Sequence, residues 1–130
     1  MLSLFILSGC KSTGELSTIM VVESDILSIK EGTVTSDGVS LIITNNSEDT
    51  LYYDEYYIIE KYTNNEWYEV SNTAVFEEPL YLLDTNSEVE IKIDWTAGYG
   101  PLSKGTYRLI KEVLYVNNDE FYTYVEFVIE

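Results

Sequence analysis

The chain has 130 residues, with 7 Lys and Arg against 23 Asp and Glu, a formal net charge of −16, and no His. The absence of His excludes Ser-His-Asp triads, Cys-His dyads and zinc sites built on imidazole. A single Cys excludes a disulfide within the chain, and the negative charge opposes nucleic-acid binding because phosphate backbones are repelled. We therefore expect a protein that is not an enzyme, with no metal, no cofactor and no nucleic-acid partner.

The composition favours strands over helices. Val, Ile and Thr contribute 35 residues and Tyr contributes 12, whereas there are two Ala and no Gln. β-Branched and aromatic residues are enriched in strands, and Ala is the strongest helix former. The apolar fraction of 45% is also too high for an acidic disordered chain. The sequence predicts an all-β domain whose acidic residues mainly serve solubility.

The N-terminus carries a pattern typical of a secreted lipoprotein. An apolar run ends in Leu7-Ser8-Gly9-Cys10, a motif that closely resembles the bacterial lipobox. The run is shorter than the ~20 apolar residues that cross a bilayer, and it fits the end of a secretory signal peptide. The resemblance implies cleavage before Cys10 and a lipid on its sulfur. It departs from the lipoprotein pattern in that no Lys or Arg precedes the apolar run.

These features predict how the chain is organised. Residues 1–9 are a remnant of a lipoprotein signal peptide, residues 10–18 are a flexible linker after the lipidated Cys10, and residues 19–130 are one folded domain. Two acyl chains on one cysteine anchor a protein stably to a membrane. We therefore expect an extracytoplasmic protein, attached to the cell membrane of a bacterium through Cys10.

Nine apolar runs follow the linker, with turn signals between them. Regular alternation in residues 39–44 and 88–95 indicates strands that bury one face. Asp37-Gly38 and three Asn pairs mark turns, because Asn and Gly accept positive φ angles. The predicted strands are residues 19–22, 26–29, 39–44, 56–62, 67–70, 80–83, 88–95, 106–116 and 121–129.

This spacing predicts an antiparallel β-sandwich of seven to nine strands without a disulfide. An up-and-down barrel is the alternative architecture. The long irregular connection over residues 71–79 favours the sandwich, whose strands are joined by crossing connections.

Four stretches resemble a family of bacterial immunoglobulin-like domains, which are often carried by surface lipoproteins of Gram-positive bacteria. They are residues 38–47, 57–61, 65–70 and 94–108, of which the last is the most specific. The resemblance implies an immunoglobulin-like β-sandwich, and this family is defined by its fold more than by one activity. A looser resemblance to a bacterial intracellular proteinase-inhibitor family, in an Asn-Asn-Ser turn and a Gly-Thr-Tyr corner, makes protease inhibition a rival function.

The 94–108 stretch contains two candidate structural residues. Trp95 is large enough to fill the core beside a glycine-rich corner, and a ligand-stacking role is the alternative. Tyr107 follows Gly105 at the start of a strand and resembles a tyrosine corner, whose hydroxyl bonds to upstream backbone. In the absence of a disulfide, aromatic packing of this kind must stabilise the domain.

Aromatic residues are densest between residues 51 and 70. Successive strand residues point to opposite faces, so one set of these rings is core and the other lies outside. In the stretch at residues 57–61 that resembles the immunoglobulin-like family, Tyr57 and Ile59 continue the core pattern, which implies that they are inside and that Tyr56 and Tyr62 are outside. Trp67 and Tyr68 are split between the faces. The candidate binding surface is Tyr56, Tyr62, Trp67 and Tyr68, and ordinary packing of these rings is the alternative.

This surface predicts a non-enzymatic binding or interaction module at the cell surface. Tyr and Trp dominate binding hot spots and also stack on sugars, so the partner is an unknown protein or a cell-wall polysaccharide. Acidic neighbours favour a basic partner; they are Glu60, Glu66 and Glu69. The alternative is a lipid-anchored inhibitor or immunity factor against a secreted protease or toxin.

A calcium site is a weaker hypothesis. Acid-rich loops supply the oxygen ligands that Ca²⁺ prefers, and the candidates are Asp37, Glu48 and Asp49. Their spacing does not match a known calcium loop, so we expect no metal site.

Overall fold

The computed structural model describes residues 14–117 and 119–130. Cys10, the lipobox and Asn118 lie outside the described residues. The strands are β1 (Val21–Val22), β2 (Leu27–Ile29), β3 (Gly38–Asn45), β4 (Leu51–Tyr53), β5 (Ile58–Thr63), β6 (Glu66–Glu69), β7 (Tyr81–Leu83), β8 (Ser87–Asp94), β9 (Gly105–Tyr115) and β10 (Glu120–Ile129). A short helix, α1 (Thr96–Tyr99), follows β8. No helix in the described part of the chain has the length and hydrophobicity of a membrane span.

The all-β prediction is confirmed, with one strand more than the seven to nine predicted. The additional strand is β4, whose three residues are too few for an alternating pattern to reveal. Residues 71–79 contain no strand, which agrees with the irregular connection predicted there. β7 pairs with β4 alone and forms an edge of its sheet.

The strands form two sheets. In the large sheet the order is β1-β10-β9-β4-β7, with β5 paired to β9 and β6 paired to β5; the small sheet has the order β2-β3-β8. All strand pairs are antiparallel except β1 with β10, which is parallel. Antiparallel neighbours are usually joined by hairpins, whereas β1 reaches β10 from the far side of the sheet.

The main core fills the space between the two sheets. Alternate residues of β3 and β9 enter it, and Leu41, Ile43, Leu109 and Val113 are almost completely buried. Full burial of one Leu, Ile or Val side chain contributes about 1.5–3 kcal/mol, so this alternating set is the main stabilising feature of the fold.

The first described residues extend the large sheet. Ser17 N–H donates to the Trp67 carbonyl oxygen at 2.9 Å, and Glu69 N–H donates to the Glu15 carbonyl oxygen at 2.8 Å. Gly14 N–H also donates to the Glu69 carbonyl oxygen. These bonds cover the free edge of β6. The described end of the predicted linker, residues 10–18, is therefore hydrogen-bonded to the sheet.

The short path from β6 to β1 shows that the large sheet curls. Ser17 is bonded to β6, and Val21 pairs with Tyr122 on β10. Four Cα–Cα steps of about 3.8 Å reach about 15 Å at most. In a flat sheet, the five inter-strand spacings between these edges would add to about 24 Å. The two edges therefore lie closer together than a flat sheet allows, and the sheet curves. We call the face turned away from the main core the outer face.

Candidate functional site

The outer face carries side chains that pack separately from the main core. Ile58 lies opposite Ile110 and Glu60 lies opposite Arg108, at positions that alternate with the core residue Ile59. All four of these outer-face side chains are buried, yet neither isoleucine belongs to the main core cluster. A sheet that curves toward this face would shield the centre of the face from water, which fits the burial of these four side chains.

A buried ion pair lies at the centre of the outer face. Arg108, the only arginine of the chain, donates from Nη2 and Nε to Glu60 Oε1 at 2.6 and 2.8 Å. The other carboxylate oxygen, Oε2, is buried and has no hydrogen-bond partner in the described part of the chain. Removing both charges from water is costly, so each partner depends on the presence of the other.

Aromatic rings enclose this ion pair. The Arg108 guanidinium carbon lies 4.5 Å from the ring centre of Trp67 and 5.6 Å from that of Tyr124. Tyr62 packs on Trp67 with the ring centres 5.0 Å apart, and 43% of Tyr62 stays exposed. The cation–π contact holds the half-buried Trp67 in place, and the exposed ring of Tyr62 packs on it.

Tyr56 and Tyr122 lie among acidic side chains farther along the same face. Tyr56 is 40% exposed. Partial burial raises the pKa of the Tyr56 hydroxyl, and the charge of Glu69 raises it further. Burial likewise raises the pKa of the Tyr122 hydroxyl, with the charge of Glu112 as the second cause. Both hydroxyls therefore lie close to negative charge and stay protonated at neutral pH.

We call this set the aromatic–acidic face. It consists of the rings of Tyr56, Tyr62, Trp67, Tyr122 and Tyr124 and the carboxylates of Glu69, Glu112 and Glu126. Its cation, Arg108, is buried against Glu60, so the exposed charges of this set are all negative. Such a surface can offer ring contacts and attract cations, and it presents no group arranged for covalent chemistry.

The structure brings three of the four predicted surface residues onto this face: Tyr56, Tyr62 and Trp67. Tyr68 points to the opposite face, because successive residues of β6 alternate. The predicted alternation is confirmed by the burial of Tyr57 and Ile59 beside the exposed Tyr56 and Tyr62. The binding role of the surface stays a prediction.

Four members of the face were not predicted from the sequence: the rings of Tyr122 and Tyr124 and the carboxylates of Glu112 and Glu126. Tyr122 and Tyr124 are two residues apart in β10, so their side chains lie on the same side of the strand. This spacing does not determine whether that side faces the core or the solvent. Their position follows from the pairing register, which sets Tyr122 opposite Glu112 and Tyr124 opposite Ile110.

The fold agrees with the result of a comparison with known families. A family model described as a bacterial Ig-like domain matches residues 22–127. The chain belongs to this family. A comparison with curated proteins finds no match. The predicted resemblance and the immunoglobulin-like fold are therefore confirmed, and membership supports a surface or interaction module in general terms.

In this Ig-like domain, Trp95 and Tyr107 lie in the core. Trp95 is 1% exposed and donates from Nε1 to the Ser36 carbonyl oxygen at 2.7 Å, so its ring has no free face for a ligand. The Tyr107 hydroxyl donates to the Ser103 carbonyl oxygen at 2.7 Å, in the manner of a tyrosine corner. Phe127 stacks on both rings, with centre distances of 5.6 and 5.7 Å. This stack stabilises one end of the core without a disulfide.

The calcium candidates do not form a site. Asp37 precedes β3, whereas Glu48 and Asp49 follow it, so the eight residues of that strand keep them apart. Among residues 14–117 and 119–130, no group of three or more His, Cys, Asp or Glu side chains is arranged to hold a metal ion.

Proposed function

We propose that this Ig-like domain is a non-enzymatic binding module, anchored outside the membrane of a bacterium through a lipid on Cys10, and that its aromatic–acidic face binds a basic protein. The observation that carries this proposal is the convergence of five aromatic rings and three carboxylates on one face of the large sheet. Exposed rings offer large contact area at low entropic cost, which is why they dominate binding hot spots.

The charge of the face supports a basic partner. Glu69, Glu112 and Glu126 surround the rings, and the whole chain carries a net charge of −16. Complementary charge raises the association rate, and salt screens the effect. A wall polysaccharide would also stack on the rings, but only a cationic partner gains from these carboxylates.

A lipid on Cys10 would set the distance between the domain and the membrane. Gly14 is hydrogen-bonded to β6, and four residues of extended chain from Cys10 span about 14 Å at most. A lipid on Cys10 would therefore hold the edge of β6 near the bilayer surface. The partner must then reach the domain inside the cell envelope.

The anchor is tested by membrane fractionation of cells that express the full chain. Cys10→Ser should move the protein from the membrane fraction to the soluble fraction, whereas Ser12→Ala, two residues away, should leave it with the membrane. Equal membrane association of Cys10→Ser and wild type would defeat the lipoprotein proposal.

The binding surface is tested by capture of envelope proteins on the purified domain. The double variant Tyr56→Ser, Tyr62→Ser should stay folded and lose capture of a basic protein, because both side chains are about two-fifths exposed. Tyr68→Ser is the matched control, since it removes a ring from the opposite side of the same hairpin. Capture by the wild type should weaken steeply with added salt.

Three results would contradict this proposal. A folded double variant that still captures the same protein would remove the face from the binding surface. Capture of a neutral polysaccharide alone, without salt dependence, would show that the partner class is wrong. Inhibition of a secreted protease by the wild-type domain would favour the inhibitor function instead.

A further inference from the structure

A separate cleft lies along the free edge of β8. In the described chain, β8 pairs with β3 alone. The cleft beside it has a volume of about 500 Å³ and is lined by residues 91–94, by the loop at residues 73–76 and by Asp54, Glu55 and Tyr57. None of these residues belongs to the aromatic–acidic face.

The backbone of β8 directs hydrogen-bonding groups into this cleft. Lys30 N–H donates to the Ser40 carbonyl oxygen at 2.9 Å, so the backbone of Ser40 points toward β2. Lys92 lies opposite Ser40 in the β3–β8 pair. Since strand residues alternate the direction of their backbone groups, the N–H and C=O of Lys92 point away from β3, to the free edge. No strand in the described residues satisfies them.

The opposite wall of the cleft is fixed by contacts to the rest of the domain. Thr73 N–H donates to the Gly98 carbonyl oxygen at 2.9 Å. A Cβ at Gly98 would lie 2.5 Å from Ala74 Cα, so the loop packs directly on α1. Phe76 meets Tyr57 edge to face, with the ring centres 4.9 Å apart. The cleft therefore has an apolar wall facing a strand edge.

The lining of the cleft is acidic. Its lining contains three carboxylates, those of Asp54, Glu55 and Asp94, and one ammonium group, that of Lys92. The Tyr81 hydroxyl donates to Glu55 Oε2 at 2.8 Å and orients that carboxylate. Burial raises the pKa of the Tyr57 hydroxyl, with the charge of Asp94 as the second cause, so negative charge also reaches the apolar wall. A cation is therefore favoured at this position.

We infer that this cleft is a second binding site, which takes an extended peptide segment of alternating basic and apolar residues, added as a strand to β8. Main-chain hydrogen bonds to Lys92 supply the affinity of such a pairing, and alternate side chains supply the specificity. Apolar side chains of the peptide contact Tyr57 and Phe76, and its Lys or Arg side chains reach the carboxylates. A second copy of this chain is a poor occupant, because each copy carries a charge of −16.

The test uses a labelled, capped hexapeptide of alternating Lys and Val as the probe, with fluorescence anisotropy as the readout. Two control peptides separate the contributions: alternating Glu and Val reverses the charge, and N-methylation of the Lys-Val peptide removes its main-chain donors. We expect only the unmodified Lys-Val peptide to bind. Amide hydrogen exchange at Lys92 should slow at least about tenfold when the peptide is bound at saturation.

A matched pair of variants tests the strand edge itself. Lys92→Pro removes the N–H that faces the cleft, which an edge strand tolerates, whereas Lys92→Ala removes the same side chain and keeps the N–H. We expect Lys92→Pro to bind the peptide about tenfold more weakly than Lys92→Ala. Tyr62→Ser, on the aromatic–acidic face, should bind the peptide as the wild type does. A failure of this second site can therefore be distinguished from a failure of the proposed function.

Each alternative outcome overturns the inference. Equal binding by Lys92→Pro and Lys92→Ala, or undiminished binding of the N-methylated peptide, would exclude strand addition. If Lys92→Pro does not fold, unchanged exchange of the Lys92 amide in the wild-type complex excludes it equally. Protection of that amide by raised protein concentration alone would identify a second copy as the occupant.

Discussion

Removing the positive charge from the buried ion pair should strongly destabilise the domain. In Arg108→Met, the carboxylate of Glu60 stays buried. Its Oε1 loses the two donors of Arg108, which lie at 2.6 and 2.8 Å, and its Oε2 already has no hydrogen-bond partner in the described residues. Loss of one partner of a buried pair costs about 3–5 kcal/mol. Small domains have a total stability of about 5–15 kcal/mol, so this loss is a large part of it. The variant should therefore unfold at a much lower urea concentration than the wild type.

The domain contains its own control for this prediction. Lys30 and Glu90 form an ion pair at 3.1 Å whose side chains are 51% and 44% exposed. Because exposed pairs contribute about 0–1 kcal/mol, Lys30→Met should change the free energy of unfolding little. Urea unfolding followed by tryptophan fluorescence gives both values by linear extrapolation.

A double variant separates the ion pair from the packing around it. Glu60→Leu combined with Arg108→Met removes both charges and keeps apolar volume, so it should be more stable than Arg108→Met alone. An Arg108→Met variant within about 1 kcal/mol of wild type, or no more costly than Lys30→Met, would refute the reasoning. It would mean that water reaches Glu60 despite the curvature of the sheet.

Three further predictions concern single residues. Tyr107→Phe should lose about 1–3 kcal/mol in urea unfolding, because the Ser103 carbonyl oxygen loses its donor; equal stability would remove the tyrosine-corner assignment. Trp95→Ala should lose about 3–5 kcal/mol, and a smaller loss than that of Tyr107→Phe would contradict its place in the core. Burial lowers the pKa of Lys111 from 10.5 to about 8, so the unfolded chain holds a proton that the folded domain has released, and between pH 8 and 10 the wild type should gain about 2 kcal/mol of stability relative to Lys111→Met. The raised tyrosine pKa values affect both proteins alike, and a stability difference that does not change with pH would show that Lys111 is not responsible.

The pattern of the sequence located the strands other than β4, whose three residues are too few to show alternation. Alternation divided the residues around Tyr57 into two sets, because successive residues of a strand must point to opposite sides. The family-like stretch at residues 57–61 then indicated that Tyr57 and Ile59 are inside and that Tyr56 and Tyr62 are outside, which agrees with their burial. The turn at Asn64-Asn65 was equally local: both residues have positive φ angles, 53° and 69°, which Asn accepts at low cost.

The composition of the aromatic–acidic face depended on contacts between distant parts of the chain. Tyr122 and Tyr124 are set opposite Glu112 and Ile110 by the hairpin of β9 and β10, but they join this face only because β9 also pairs with the distant strand β5. The burial of Glu60 and Arg108 had no local signal either, since each stands in the sequence as an ordinary polar residue of an outward face. They are buried on a sheet whose two edges are joined through residues 14–21 and beside the rings of Trp67 and Tyr124. Periodicity therefore determined which side these side chains occupy, and tertiary structure determined that this side excludes water.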